Sequence, residues 1–358
     1  MSALVQGDTI GIVGGGQLGR MLAMAAARLG FDTVVLDPDP ACPAGQVANT
    51  VIGASYDDAT ALAQLAERAA VITYEFENVP VAPLRQVAAR RPVFPPPDAL
   101  EVSQDRVTEK AFFNAVGVGT AAWRAIDREE ELGHALLELG GDCILKTRRF
   151  GYDGKGQASL REGAPYDGVW DNLGGVPAIL EKRVRFQREI SIIGARGPDG
   201  AIALYDPAEN VHGNGILRTS SVPATLPPAV ADEARALGRV ILERLSYVGV
   251  IGIEFFVTDD DRLLVNEMAP RVHNSGHWTE AACAVSQFEQ HVRAIAGLPL
   301  GDTVRHSDCV MHNLIGTEAE SAFDLLTEPN LVLHLYGKAE SRDGRKMGHF
   351  TRLQPRPA

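Results

Sequence analysis

The chain has 358 residues, 45% of them hydrophobic, and a formal net charge of −12. That length allows two or three domains, and the acidic balance argues against a broad nucleic-acid surface, which needs a basic face. No apolar run reaches membrane-spanning length, the opening MSALVQGDTIGIVGGGQ has no signal-peptide pattern, and the four cysteines are scattered without C-x-x-C spacing, which fits a reducing cytosol better than a zinc or disulfide framework.

In chain order, Thr9–Val13 reads as a short apolar strand. Gly14, Gly15, Gly16 and Gly19 follow, with a helical stretch Leu18–Leu29 that Gly30 stops. Phe31–Leu36 is a second strand ending in Asp37. The G-x-G-x-x-G at Gly14, Gly16 and Gly19 is either a phosphate site of dinucleotide type, with Asp37 on a ribose, or a tight turn without a ligand. Bare N–H groups at a helix start favour a phosphate of some kind. Val51–Ile52 is a third strand, and Tyr56–Arg68 a helix with Asp57 and Asp58 in its first turn. Ala70–Tyr74 is a fourth strand that runs into Glu75, Phe76, Glu77 and Asn78. Acids at the C-terminal end of a parallel strand sit where open α/β sheets bind ligands. Val81–Arg90 is helical, RPVFPPP stops it, and a domain boundary is expected near Val102.

Asp105–Ala115 predicts a helix on which Arg106 and Lys110 either reach one anion together or form a solvated face. Ala121–Ile126 is a strand, Glu129–Leu139 an amphipathic helix, and Cys143–Lys146 a strand ending in lysine. TRRFGYDGKGQ (Thr147–Gln157) is rich in glycine and in positive charge, the outline of a lid over phosphates, although no P-loop pattern is present. Ala178–Arg183 is a strand, and Arg188–Gly194 and Ile202–Tyr205 pair antiparallel. Asn210–Gly215 is a polar loop carrying His212, and Pro227–Leu245 is a helix.

Val250–Val257 and Leu263–Glu267 flank an acidic turn and form a hairpin. With the turn centred between Asp260 and Asp261, Val257 opposes Leu264, Phe255 opposes Asn266, and Glu254 opposes Glu267. Two carboxylates directly opposite repel. Either a shared cation such as Mg²⁺ relieves them, or the register slips and one faces solvent. Trp278–Gly297 reads as helical, Val310–Gly316 and Asn330–Tyr336 as strands, and the end carries Lys338 and GRKMGH.

Together these pieces form a βαβ domain, a small middle domain with a basic glycine lid, and an α+β domain with a paired-glutamate hairpin. That order resembles the ATP-grasp superfamily. The runs GGGQLGRML, TYEFENV, KTRRFGYDGKGQ, EKRV, NEMAPRVHNSGHW and YGKAE…GRKMGH are similar to one of its families, the 5-(carboxyamino)imidazole ribonucleotide synthases of purine biosynthesis. The resemblance implies a mixed α/β and α+β chain: an ATP-grasp fold behind a Rossmann-like domain. The divisions are 1–102 (acceptor binding), 103–180 (lid) and 181–358 (metal site and acceptor-phosphate segment). It implies ATP, Mg²⁺ and bicarbonate as cofactors and co-substrate, a cytoplasmic homodimer, and no nucleic acid or membrane partner.

The resemblance also implies roles. Arg106 and Lys146 meet the nucleotide phosphates under a lid of Gly151, Tyr152, Asp153, Gly154, Lys155, Gly156 and Gln157. Glu181, Lys182, Arg183 and Val184 form the adenine edge, Glu189 takes the ribose, and His212 approaches from the second sheet. Glu254 and Glu267 hold the metal, with Asn266 beside them. Gly16, Gln17, Glu75, Tyr152, Arg271, His273 and Asn274 meet aminoimidazole ribonucleotide, with Lys338 and Arg345 on its 5′-phosphate. Asp153, Lys155 and Arg271 carry the chemistry, and His273 and His277 line the pocket. The alternatives are a ligase for another acceptor, a nicotinamide oxidoreductase using Gly14–Gly19 and Asp37, and a non-catalytic nucleotide-binding module.

Overall fold

The computed structural model describes residues 2–151, 156–161, 163 and 165–355. The first unit is a parallel sheet of β1 (Thr9–Val13), β2 (Asp32–Asp37), β3 (Thr50–Gly53) and β4 (Val71–Tyr74) in the order β3-β2-β1-β4. Helices α1 (Gln17–Arg28), α2 (Ala59–Arg68), α3 (Val81–Ala88) and α4 (Pro97–Gln104) accompany it. β1 and β4 are almost continuously apolar because both sheet faces are covered. Gly30 ends α1 with a φ of +79°, as expected for a helix-terminating glycine. Asp58 lies just outside α2, where its carboxylate accepts the N–H groups of Thr60 and Ala61. The helix therefore starts at Ala59, three residues later than the apolar pattern implies.

The middle unit comprises α5 (Arg106–Ala115), β5 (Trp123–Ile126), α6 (Glu130–Leu139), β6 (Cys143–Thr147), β7 (Gln157–Leu160), α7 (Val169–Asn172) and β8 (Ala178–Lys182). Its strands are antiparallel in the order β5-β8-β6-β7, packed over Ile126, Leu132, Leu145, Trp170 and Leu180. Residue 102 falls inside α4 and residue 180 inside β8, so each expected boundary runs through a regular element.

The remainder is one large sheet. It contains β9 (Arg188–Arg196), β10 (Ile202–Leu204), β11 (Ala208–Gly213) and β12 (Ile216–Val222), then helix α8 (Pro228–Arg244), β13 (Gly249–Val257) and β14 (Leu263–Ala269). Helices α9 (Thr279–Ala282) and α10 (Gln287–Ile295) precede β15 (Ser307–Ile315), β16 (Leu331–Leu335) and β17 (Lys346–Pro355). The order is β14-β13-β9-β11-β12-β15-β17-β16, with β10 paired to β9. Two expectations are corrected here. His212 sits on β11 and not in a loop. The helical run from Trp278 is split, because Cys283 turns extended and Ser286 caps a new helix. The last four residues of GRKMGH, to which the sequence assigns no element, open β17, which lies between β15 and β16.

The hairpin holds a third correction. Glu254 does oppose Glu267, but Phe255 opposes Val265 and Val257 opposes Leu263. The turn is centred on Asp260, one half-step earlier than expected, and an irregularity between Glu254 and Phe255 absorbs Asn266 as an extra residue on β14.

Gly19 marks where α1 closes on the glycine loop. A Cβ there would lie 2.6 Å from the Gly14 carbonyl oxygen, which is backbone and cannot swing away. Gly19→Ala is expected to destabilise the protein by about 1–3 kcal/mol, read as a lower denaturation midpoint. An unchanged midpoint would show that the loop relaxes freely.

Candidate active site

Two cavities meet at the hairpin. One, of about 390 Å³, lies between the strand pair β6–β7 and the large sheet, lined by Arg106, Lys146, Glu189, His212, Glu254 and Glu267 among others. The other, of about 720 Å³, opens toward the first unit between Glu77, Arg148, Gly151, Arg271 and Ala269. Arg106, Glu267, His273 and Lys346 line both. A group transferred between ligands in the two cavities would pass these four side chains.

The two hairpin carboxylates are unequal. Burial, and then the charge of Glu267, push the Glu254 carboxyl up to about 7. Burial acts on Glu267 in the same sense, but Arg106 Nη1, 3.0 Å from its Oε2, and Lys146 outweigh it and hold that carboxyl down at about 2. Asn266 Oδ1, beside the pair, is buried without a hydrogen-bond partner. Two carboxylates and an unsatisfied amide oxygen form a hard-oxygen donor set, the chemistry that Mg²⁺ requires.

The surrounding residues are held in place by one another. Lys146 Nζ donates to Glu181 Oε2 at 2.8 Å, and Glu181 is itself buried. His212 Nδ1 lies 2.5 Å from Glu189 Oε2. Burial alone would lower the His212 imidazole, but Glu189 and Glu254 raise it. His273 is pushed down to about 3 by burial and by Arg271 and Lys346, so it is neutral at pH 7. Its Nδ1 shares a 2.8 Å hydrogen bond with Ser275 Oγ, and its Nε2 lies 3.8 Å from Glu254 Oε1. Gly252 makes room for it, since a Cβ there would lie 2.6 Å from His273 Cβ. Arg271 Nε is ion-paired with Glu77. Asn274 lines the smaller cavity while its amide pairs reciprocally with that of Asn313, at 2.9 and 2.7 Å.

The glycine loop has a different use from the one its pattern suggests. Gly15 N–H donates to Asp37 Oδ2 at 2.6 Å, Gly16 N–H to Glu75 Oε1 at 2.8 Å, and Gly19 N–H to Glu75 Oε2 at 3.2 Å. The amides that a pyrophosphate would use are filled by the protein's own carboxylates. Asp37 accepts the Tyr56 hydroxyl as well, at 2.7 Å. That arrangement speaks against the nicotinamide alternative, because both the cradle and the ribose acid have internal partners. Lys338 reaches over this loop from the C-terminal segment. It donates to the Lys346 carbonyl at 2.6 Å, and burial with the nearby Arg345 lowers its ammonium to about 8. Gly337 O accepts from Gln46 Nε2 at 2.7 Å, and Arg345 donates to the Glu340 carbonyl at 2.9 Å.

Not every expected site residue comes together. Lys182, Arg183 and Val184 line a third cavity of about 560 Å³ beside Thr120 and Asp259, away from the hairpin carboxylates. Tyr152, Asp153, Gly154 and Lys155 lie outside the described residues; Gly151 O accepts from Arg106 Nη2 at 3.4 Å, and Gly156 O accepts the Thr147 N–H at 2.8 Å. His277 is no pocket residue: it is buried, with its ring 4.8 Å from that of His349 and its Nδ1 3.0 Å from Gln287 Nε2. Lys110 is no solvated face either, being 1% exposed beneath the hairpin. Sequence reasoning marked Glu77 only as one of the acids at the end of the fourth strand and gave Lys346 no role, though it stood in a motif already singled out.

The Glu254 carboxyl has a stability consequence. Its folded value, about 7, is above the ordinary 4.5, so folding favours the protonated form. That contribution is full below pH 4.5 and is lost as pH rises through about 7. Without divalent cations, Glu254→Gln is expected to be more stable than the parent at pH 8, on the order of 1–3 kcal/mol, with the gap closing toward pH 4.5. Thermal melts across that range would refute this if the two proteins kept a constant offset.

Comparison with known proteins agrees with this geometry. Residues 8–104 match a ribonucleotide synthetase preATP-grasp domain, 111–288 an ATP-grasp domain, and 309–358 a phosphoribosylaminoimidazole carboxylase C-terminal domain. The chain is 59% identical to the N5-carboxyaminoimidazole ribonucleotide synthase of Brucella melitensis biotype 1, over 99% of each chain. It superposes with a TM-score of 0.95 on a solved ADP complex of an N5-carboxyaminoimidazole ribonucleotide synthetase, at 42% identity, covering 98% of this chain and 94% of that one. The Aspergillus clavatus N5-carboxyaminoimidazole synthase, solved with ADP and 5-aminoimidazole ribonucleotide, gives 0.90 at 31% identity, with 98% and 94% covered. The chain belongs to the N5-carboxyaminoimidazole ribonucleotide synthase family, enzymes with an ATP-grasp domain behind a preATP-grasp domain.

Proposed function

We propose that this enzyme uses ATP and bicarbonate to carboxylate the exocyclic amine of 5-aminoimidazole ribonucleotide, through carboxyphosphate, in de novo purine biosynthesis. The observation that carries the reading is the pair of cavities sharing Arg106, Glu267, His273 and Lys346. ATP takes the smaller cavity and the ribonucleotide the larger, with the transferred groups at the junction. Units 1–104, 105–182 and the remainder serve as acceptor platform, lid and catalytic sheet.

A bicarbonate oxygen attacks the γ-phosphorus, the bond to the β-γ bridging oxygen breaks, and ADP leaves. The amine nitrogen then attacks the carboxyl carbon of carboxyphosphate, inorganic phosphate leaves, and the amine loses a proton. Arg106 and Lys146 offset charge on the phosphoryl oxygens. Neutral His273 and cationic Arg271 orient the bicarbonate at the junction. Asp153 takes the amine proton, with Lys155 on the phosphates and the lid Gly151–Gln157 excluding water from carboxyphosphate. Glu254, Glu267 and Asn266 hold Mg²⁺, which, when bound, supplies positive charge to the nucleotide phosphates. Glu181 acts as the buried counter-charge of Lys146, and Lys182, Arg183 and Val184, at the end of β8, form an adenine edge beyond the smaller cavity. Glu189 takes the nucleotide ribose, paired with His212. Gly16, Gln17 and Glu75 meet the acceptor, Asn274 lies at its edge, and Lys338 and Arg345 bind its 5′-phosphate.

We place the enzyme in the cytoplasm as a homodimer; its four cysteines are buried free thiols, in keeping with a reducing compartment.

The direct test is ADP release against a panel of acceptor amines with bicarbonate present. Release should depend on aminoimidazole ribonucleotide, and equal stimulation by glycinamide ribonucleotide would overturn the assignment. Glu267→Gln is expected to abolish ATP cleavage, and undiminished ADP release would remove the metal role. Lys338 loses its charge above about pH 8. The acceptor Kd, measured by calorimetry, should therefore rise with pH through that value, while Lys338→Arg keeps it flat; a parallel rise in both would separate Lys338 from the phosphate.

A further inference from the structure

The irregularity in β14 decides which way Glu267 faces. From the tip to Phe255 the strands pair so that Val257 meets Leu263 and Phe255 meets Val265. Continued without interruption, that register would place Asn266 opposite Glu254 and Glu267 opposite Ile253. Ile253 is fully buried on the core face. Side chains alternate with a period of two, so a one-residue slip moves a side chain to the other face. The extra residue at Asn266 therefore brings Glu267 round to the cleft face beside Glu254.

β14 is the edge strand of its sheet, and a bulge on such a strand adds to the backbone groups without ladder partners; buried groups of that kind need others. Here the partners come from α5. Lys110 Nζ donates to the Asn266 carbonyl at 2.7 Å and to the Val265 carbonyl at 3.3 Å. Glu109 Oε1 accepts the Met268 N–H at 2.8 Å. Both side chains are at most 2% exposed, and Glu181 Oε1 lies 3.7 Å from the Lys110 ammonium. A buried ammonium and a buried carboxyl on consecutive residues are costly unless they are needed. The carbonyls and the amide that they satisfy flank Glu267 on either side.

We infer that Lys110 and Glu109 are positioning residues that hold the β14 bulge open and so place Glu267 opposite Glu254 for the divalent cation. Lys110 lines neither cavity and Glu109 borders the larger one; both act through the backbone of Val265, Asn266 and Met268. The inference rests on the reading of Glu254 and Glu267 as the metal-holding pair.

The test is Mn²⁺ titration at saturating ADP, with free Mn²⁺ followed by electron paramagnetic resonance, on folded protein checked by circular dichroism. Lys110→Met should raise the Mn²⁺ Kd by roughly 10–100-fold, the range for residues that orient metal ligands. The Mg²⁺ concentration for half-maximal ADP release should rise in parallel, while the acceptor Kd stays within about twofold of the parent, inside the ordinary context-dependence of such effects. A merely structural lysine would lower the melting temperature and leave the Mn²⁺ Kd of the folded protein unchanged, and that result would overturn the inference. Glu109→Ala, which removes only the acceptor for the Met268 amide, is titrated alongside. If Lys110→Met does not fold, a raised Kd in Glu109→Ala supports the inference and an unchanged one overturns it. Glu254→Gln separates the two levels. If it leaves the Mn²⁺ Kd unchanged, the metal reading itself is wrong. If it weakens Mn²⁺ and Lys110→Met does not, only the positioning role is lost.

Discussion

Two like charges facing each other across a β-hairpin are the constraint around which this molecule is arranged. Glu254 and Glu267 repel, and burial makes the repulsion worse. The fold answers asymmetrically. Arg106, from the helix that begins the middle unit, pairs with Glu267 and leaves Glu254 short of positive charge. The unmet need falls beside an unpartnered amide oxygen on Asn266. A site with one compensated carboxylate and one uncompensated carboxylate has the charge balance that suits the cation proposed for it, arriving with its ligand.

The same logic orders the cations around it. Lys146 is tied to Glu181 and Arg271 to Glu77, so the positive groups facing the cavities are held by acids behind them. Fixed in this way, they need little rearrangement when phosphate charge appears, which is the source of electrostatic catalysis in a water-poor cleft. The glycine loop follows the rule in reverse. Its bare amides are satisfied by Glu75 and Asp37, so that region is a rigid floor and not an anion cradle.

How far the sequence reveals this depends on the range of the forces involved. The βαβ opening was readable because β1, α1 and β2 are bounded by local signals: an apolar run, a glycine cluster and Gly30. The opposition of Glu254 and Glu267 was readable too, but for an incomplete reason. A uniform register happened to give the right pair and the wrong tip, because the bulge at Asn266 is set by Lys110 and Glu109, about 155 residues away. Lys110 looked like a surface cation since nothing nearby shows that a hairpin lies on it. His212 looked like a loop residue since Gly213, Asn214 and Gly215 follow it, yet pairing with β12 extends the strand through it. The splitting of the helix after Trp278 and the strand at Lys346–Pro355 likewise depend on distant partners. What the motifs carried well was the identity of the cleft residues; what they carried poorly was the scaffolding that aims them.

The placement of β17 has a consequence for how the enzyme comes into being. This strand follows β15 and β16 in the chain, yet it inserts between them, and its first residue, Lys346, borders both cavities. A chain still on the ribosome, or cut short before residue 346, can carry the paired glutamates but lacks one wall of the cleft. The reaction chamber is thus finished only once Lys346 and its strand have been made and inserted, and a chain without them has no closed vessel in which to form its unstable acyl phosphate.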